Sequence, residues 1–194
     1  MNRMTQAERL ILIYIAYVQI ARMSHFVCVL VLAAAAKLRL EGEPFFVLLG
    51  DVLVPDNQML IKMKEVSDAH NGASVIAVLP VAKEEVDRFG VIAGEALSDD
   101  VWKVSSLVEK PAVEEAPSNL AVFGRYLLSP RVMELLAEVK PGAGGEIQLT
   151  DALDAVLKEE EMYALVIDPE DGYDTGTIES WLDTNNRLYK KLHG

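Results

Sequence analysis

Phe45-Phe46-Val47-Leu48-Leu49 is an unbroken apolar run that stops at Gly50-Asp51. It offers no polar side to water, so it predicts a central β-strand covered on both faces. The pattern then alternates. Pro55 to His70 reads as a helix, capped by Asp56 or Asn57 and stopped by Asn71-Gly72. Ala73 to Leu79 reads as a second buried strand, and Lys83 to Asp87 as a short helical turn before Arg88-Phe89-Gly90-Val91. Val101–Glu109 and Asn119–Leu128 alternate well enough for strands, and Tyr163–Ile167 is another. Helices are expected over Pro130–Val139, Thr150–Glu160 and Thr177–Lys191. Strands interleaved with helices predict an α/β sheet with binding groups at strand ends and in the loops that follow them. The sequence shows no internal repeat, low-complexity tract or linker, and 194 residues suit one domain.

The first forty residues differ from the rest. They hold Arg3, Arg9, Arg22, Lys37 and Arg39 against Glu8 alone, whereas the chain as a whole carries a net charge of -12. All 12 glycines lie at Gly42 or later. The sequence therefore divides into an atypical apolar, basic segment over 1–40 and a core over 41–194. Leu10–Ile20 and Phe26–Ala36 are apolar runs of 11 residues each, too short to span a bilayer. Joined, they would bury Arg22 and His25 at mid-membrane. They read as a buried strand near Leu10–Val18 and a helix near Phe26–Leu38, with a secretory leader cleaved near Ala33–Ala36 as the alternative. The acidic balance argues against nucleic acid as a partner, because phosphate backbones need a Lys/Arg surface to displace their counterions. It leaves room for a small phosphorylated ligand held by a metal ion and one placed lysine. Cys28 is the single cysteine, so neither an intrachain disulfide nor a cysteine-based metal site can form. A buried thiol in a reducing cytoplasm fits.

Four motifs are able to carry chemistry, and each has a plain structural reading beside it. Leu48-Leu49-Gly50-Asp51 puts a carboxylate just past a buried strand, where open sheets bind ligands and where a hard carboxylate suits Mg²⁺. The same Asp serves equally as a turn former. Val108-Glu109-Lys110-Pro111 offers Glu109 to hydroxyls and Lys110 to a phosphate. Neighbours on a strand face opposite ways, so both reach one ligand only if the strand ends there, as Pro111 suggests. A solvated Glu-Lys pair is the alternative. In Gly144-Gly145-Glu146-Ile147-Gln148-Leu149-Thr150-Asp151, Thr150 or Asp151 is expected to cap the next helix, and Glu146 and Gln148 are candidates to face a cleft. Tyr173-Asp174-Thr175-Gly176-Thr177 is a turn and helix cap whose Asp174 is able to pair with Asp51.

The order and spacing of Gly-Asp, Phe-Gly-Val, Val-Glu-Lys-Pro, Ser-Asn-Leu-Ala, Gly-Gly-Glu-Ile-Gln-Leu-Thr-Asp and Tyr-Asp-Thr-Gly-Thr resemble bacterial UTP–glucose-1-phosphate uridylyltransferases. The resemblance runs from about Glu43 to Leu192, and thymidylyltransferases share part of it. It implies a mixed, mostly parallel, Rossmann-like nucleotidyltransferase sheet flanked by helices and incomplete on its N-terminal side. It also implies Mg²⁺-dependent joining of UTP and glucose 1-phosphate into UDP-glucose and pyrophosphate. Carried over by motif, Asp51 and Asp174 would hold the metal and, with Lys110, form the catalytic set. Gly90, Glu109, Asn119, Ala121 and Glu146 would line the sugar-phosphate pocket, with Lys110 on the phosphate. The family's Gly-x-Gly-Thr-Arg loop, which embraces the triphosphate, has no counterpart before Gly42. The segment that reads the base should fall near Gln19–Ala36, where its glycines are lacking and His25 matches poorly. Weak or no turnover by this polypeptide alone is the expectation, with a non-catalytic sugar-phosphate-binding or oligomerisation module as the alternative. A homo-oligomer without nucleic-acid or membrane partners is expected.

Overall fold

The computed structural model describes residues 13–15, 43–54, 58–136, 138 and 149–193. Within them a seven-stranded sheet runs in the order β1-β2-β7-β4-β8-β6-β5. Its strands are β1 (Ile13–Ile15), β2 (Phe45–Leu49), β4 (Ser74–Pro80), β5 (Gly90–Ala96), β6 (Val101–Glu109), β7 (Leu120–Leu128) and β8 (Met162–Val166). A separate two-stranded ladder joins β3 (Val52–Leu53) to β9 (Tyr173–Asp174). The helices are α1 (Gln58–Ala69), α2 (Arg131–Leu136), α3 (Leu149–Val156) and α4 (Ile178–His193), with a 3₁₀ turn over Lys83–Arg88.

The sheet is mixed, as expected, but "mostly parallel" holds only for strand direction. β1, β2, β4, β5 and β8 run one way, while β6 and β7 run against them. Because β6 and β7 stand between forward strands, only the β1–β2 and β4–β8 ladders are parallel among the described residues; the others are antiparallel. β1 lies inside the strand expected near Leu10–Val18. The helix expected near Phe26–Leu38 lies outside the described residues, as do Gln19, His25, Cys28, the caps Asp56 and Asn57, and the stretch Pro141–Gln148 with Glu146.

Alternation along the central strands sends side chains to two cores. Phe45, Val47, Ile76, Val78, Met162 and Ala164 face the layer that contains α2 and α3. Phe46, Val75, Ala77, Tyr163 and Leu165 face the layer in which α1 buries Met59 and Met63. A strand apolar at every position is what two covered faces require, so the Phe45–Leu49 run is accounted for. α1 stops where Asn71 and Gly72 adopt positive φ angles, and the Gly72 N–H closes back on the Ser67 carbonyl at 2.8 Å. Among the described residues no helix is long and apolar enough to cross a membrane.

β7 organises everything that follows. One edge pairs with β4; the other is shared by β2 at Arg125–Leu128 and by β5 at Ala121. Between these contacts Phe123-Gly124-Arg125 bulges, three residues facing Ala77 alone on β4. Gly124 takes φ +57, and a side-chain carbon there would meet Val52 at 2.9 Å, so the bulge lets the turn after β2 approach closely. β2 and β5 thus part along one edge of β7, leaving a split of the kind in which open sheets place ligands.

Candidate functional site

Two groups of side chains stand on either side of this split. The first gathers Asp51 and Asp174, far apart in sequence. Asp51 follows β2 in the turn leading to β3, and Val52 pairs directly with Asp174 of β9. The Thr175 N–H and hydroxyl both donate to the Asp51 carbonyl, at 2.8 and 2.9 Å. From α4, the Thr184 hydroxyl donates to the Asp174 carbonyl at 2.8 Å. Both carboxylates front on Gly176: a carbon added there would lie 3.2 Å from Asp174 Oδ1 and 3.7 Å from Asp51 Oδ2. Asp51 opens onto a cleft of about 530 Å³ lined also by Gly50, Thr175, Gly176, Thr177 and Trp181.

The plain readings of these motifs hold as well. Asp174 Oδ1 accepts the Gly176 N–H at 2.8 Å, a local Asx-type turn. Thr177 and Ser180 exchange side-chain-to-backbone hydrogen bonds of 3.1 and 3.0 Å, a reciprocal cap on α4. Turn, cap and carboxylate pair are compatible functions of one stretch.

The second group stands at the start of β5 and the end of β6. Gly90 and Glu109 are register partners, and Val91 pairs with Ala121 on β7. A side-chain carbon at Gly90 would lie 3.0 Å from Glu109 Oε2 and 3.3 Å from Thr150 Oγ1. Thr150 donates its hydroxyl to Glu109 Oε2 at 2.7 Å. It lies inside α3 rather than ahead of it, so the expectation that Thr150 or Asp151 caps this helix does not hold; the hydroxyl is spent on Glu109 instead. Lys110 leaves the ladder with φ +46, a left-handed conformation that is costly for a residue with a side chain. Its N–H still donates to the Phe89 carbonyl at 3.0 Å. That turn frees Lys110 from strict strand alternation, which is the condition for Glu109 and Lys110 to serve one ligand.

Asn119 is differently engaged. Its amide donates to the Val81 carbonyl at 3.1 Å, so it bridges two loops at the start of β7. Ala121 is buried in the sheet beside β5. Sequence reasoning did not single out Arg125 or Thr175, which grip the Asp51 turn, because each acts through backbone carbonyls. The one detectable signal was Arg125 itself, a charge inside the otherwise apolar β7.

The donor chemistry of the first group, two carboxylates and no sulfur or imidazole, fits a hard divalent cation that completes its shell with phosphate and water oxygens. Among the described residues no three His, Cys, Asp or Glu gather into a closed metal cage.

Tyr163 is pushed up to about 12 by burial and by the Glu161 carboxylate, whose oxygen accepts its hydroxyl at 2.7 Å. It packs on α1's side of the sheet, stacked on His70, and takes no part in either group.

Comparison with known proteins identifies the family. The chain is 39% identical over 155 residues to a UTP–glucose-1-phosphate uridylyltransferase of Pseudomonas aeruginosa, covering 78% of this chain and 54% of that protein. It is 47% identical over 135 residues to the Streptococcus pneumoniae enzyme of the same name, covering 66% and 45%. The crystal structure of a UDP-glucose pyrophosphorylase complexed with UDP-glucose superposes with a TM-score of 0.76 at 39% identity, over 83% of this chain and 61% of that one. The chain spans about half the length of the curated relatives it matches. A nucleotidyl transferase family model matches residues 28–191, both groups of the split included, and the chain accordingly belongs to the nucleotidyl transferase family.

Proposed function

We propose that this chain supplies the sugar-phosphate and metal half of a UTP–glucose-1-phosphate uridylyltransferase. The observation that supports it best is the split along β7, with a carboxylate pair on one side and a Glu-Lys group on the other. In this reading Glu109, oriented by Thr150, accepts hydrogen bonds from sugar hydroxyls, and the Gly90 backbone approaches the ring closely. Ala121 and Asn119 border the pocket, and Lys110 neutralises the sugar phosphate; Glu146 belongs to the pocket by the resemblance alone, since it lies outside the described residues. Asp51 and Asp174 hold Mg²⁺, which when bound offsets the charge of the triphosphate. A phosphate oxygen of glucose 1-phosphate attacks the α-phosphorus of UTP; the new P–O bond forms as the α–β bridge breaks and pyrophosphate leaves. No side chain needs to act as nucleophile. The protein's work is to align two anions and offset their repulsion. UTP is the nucleotide in this reading because it is the one that the relatives' names specify.

One feature supports a second reading, a non-catalytic sugar-phosphate-binding module. Residues 1–41 contain no glycine, and backbone cradles for triphosphates are built from glycine-rich loops. Calorimetric titration in Mg²⁺, with glucose 1-phosphate and UTP in separate runs, separates the two. Binding of both, with pyrophosphate release on mixing, upholds the transferase. Binding of the sugar phosphate alone selects the module, and binding of neither sinks both. The same reading includes a homo-oligomer, supported by the exposed apolar stripe Ile178, Trp181, Leu182, Tyr189 and Leu192 on α4. A monomer by light scattering at micromolar concentration would count against association.

A further inference from the structure

Among the described residues, Arg125 is the one charged side chain classed as buried, with 9% of its surface exposed. Burying a guanidinium is unfavourable unless its N–H groups find acceptors. It finds them on both sides of one turn. Nη1 donates to the Leu49 carbonyl at 2.7 Å and to its neighbour Gly124 at 3.3 Å, and Nη2 donates to the Val52 carbonyl. Leu49 closes β2 and Val52 opens β3, so the planar fork spans Gly50-Asp51. Thr175 holds the Asp51 carbonyl from the opposite side. Arg125 lies four residues along β7 from Ala121, where the Gly90–Glu109 group begins. A single strand therefore connects both sides of the split.

We propose that Arg125 is a positioning residue that holds the Asp51 turn in register with the sugar-phosphate side of β7. It touches neither ligand and acts through the turn backbone, and its effect on metal rests on the reading that Asp51 and Asp174 bind a divalent cation. The role needs a fork. A lysine supplies the charge, but its single ammonium on a flexible stem does not pre-organise two carbonyls.

The test uses the full chain as wild type, Arg125→Met and Arg125→Lys. It reads Mn²⁺ binding by the free-ion paramagnetic resonance signal, glucose 1-phosphate binding by calorimetry, and amide exchange over Gly50–Leu53. Arg125→Lys is expected to weaken Mn²⁺ binding about tenfold or more, as loss of outer-shell support for a metal site does. Glucose 1-phosphate affinity should hold, while exchange in the turn speeds up. If Arg125→Met fails to fold, Arg125→Lys still decides. Wild-type Mn²⁺ affinity and exchange in the folded lysine variant would overturn the proposal, and so would equal losses of both ligands, which mean general loosening. If the wild type binds no Mn²⁺, the metal reading fails by itself. The exchange arm then decides, with unchanged protection in Arg125→Lys refuting the positioning role.

Discussion

The two sides of the β7 split are built by opposite means. The Gly90–Glu109–Lys110 side comes from one long antiparallel ladder, β5 on β6, interrupted only by a register shift between Ala93 and Gly94, with a single added hydrogen bond from Thr150. The Asp51–Asp174 side joins segments more than a hundred residues apart through a two-residue ladder, two bonds from Thr175 and the Arg125 fork. A ladder distributes positional information over many backbone hydrogen bonds, so a side chain can be lost without moving its neighbours. A junction of distant segments concentrates it in a few contacts. The carboxylate side should therefore be the more easily disturbed, and the two sides should fail independently.

The largest expected effect is that of Asp51→Ala. Losing one of two carboxylates should abolish Mg²⁺-dependent turnover, by more than about 100-fold, and weaken Mn²⁺ binding comparably. Glucose 1-phosphate affinity should be unaltered. Mn²⁺ affinity equal to wild type would remove Asp51 from the metal role, and a parallel loss of sugar-phosphate binding would show that the sides are not independent. Lys110→Ala tests the other direction. Loss of one charge-assisted hydrogen bond, about 1.5–3 kcal/mol, should lower glucose 1-phosphate affinity by roughly 10- to 100-fold. Mn²⁺ affinity should stay at the wild-type value, and a drop there would contradict the separation.

This contrast also decides what could be read from sequence. Val101–Glu109 ends as a strand where its alternation meets Lys110-Pro111, because period-2 patterning and a proline are local signals. Phe45–Leu49 is legible as a doubly covered strand because an unbroken apolar run is a local signal too. The turn of Lys110 out of the strand was foreseeable from Pro111, though its left-handed φ was not. By contrast, β3 and β9 are two residues each and have no pattern to detect; they exist only because distant segments meet. The interleaving of reversed β6 and β7 among forward strands is likewise a property of tertiary pairing, invisible to periodicity. The sequence motifs named both carboxylates but not what clamps them together, since Arg125 and Thr175 bind carbonyls that every residue possesses.

The smallest expected effect probes whether α4 belongs to the carboxylate junction or merely follows it. Ser180 accepts the Thr177 N–H at 3.0 Å and donates its own N–H to Thr177 Oγ1 at 3.1 Å, so Ser180→Ala removes one half of the reciprocal cap. The remaining half still satisfies a first-turn donor, and the loss should stay near 0.5–1 kcal/mol. In a domain of this size that lowers Tm by roughly 1–4 °C. Asp174 is tied to β3 by the ladder and to α4 about two turns beyond the Thr177 cap, through Thr184. Fraying at Thr177 should therefore leave Mn²⁺ affinity in place while melting shifts. A tenfold loss of Mn²⁺ affinity alongside the small thermal shift would mean that the helix start, rather than the Thr175 and Arg125 contacts, sets where Asp174 stands.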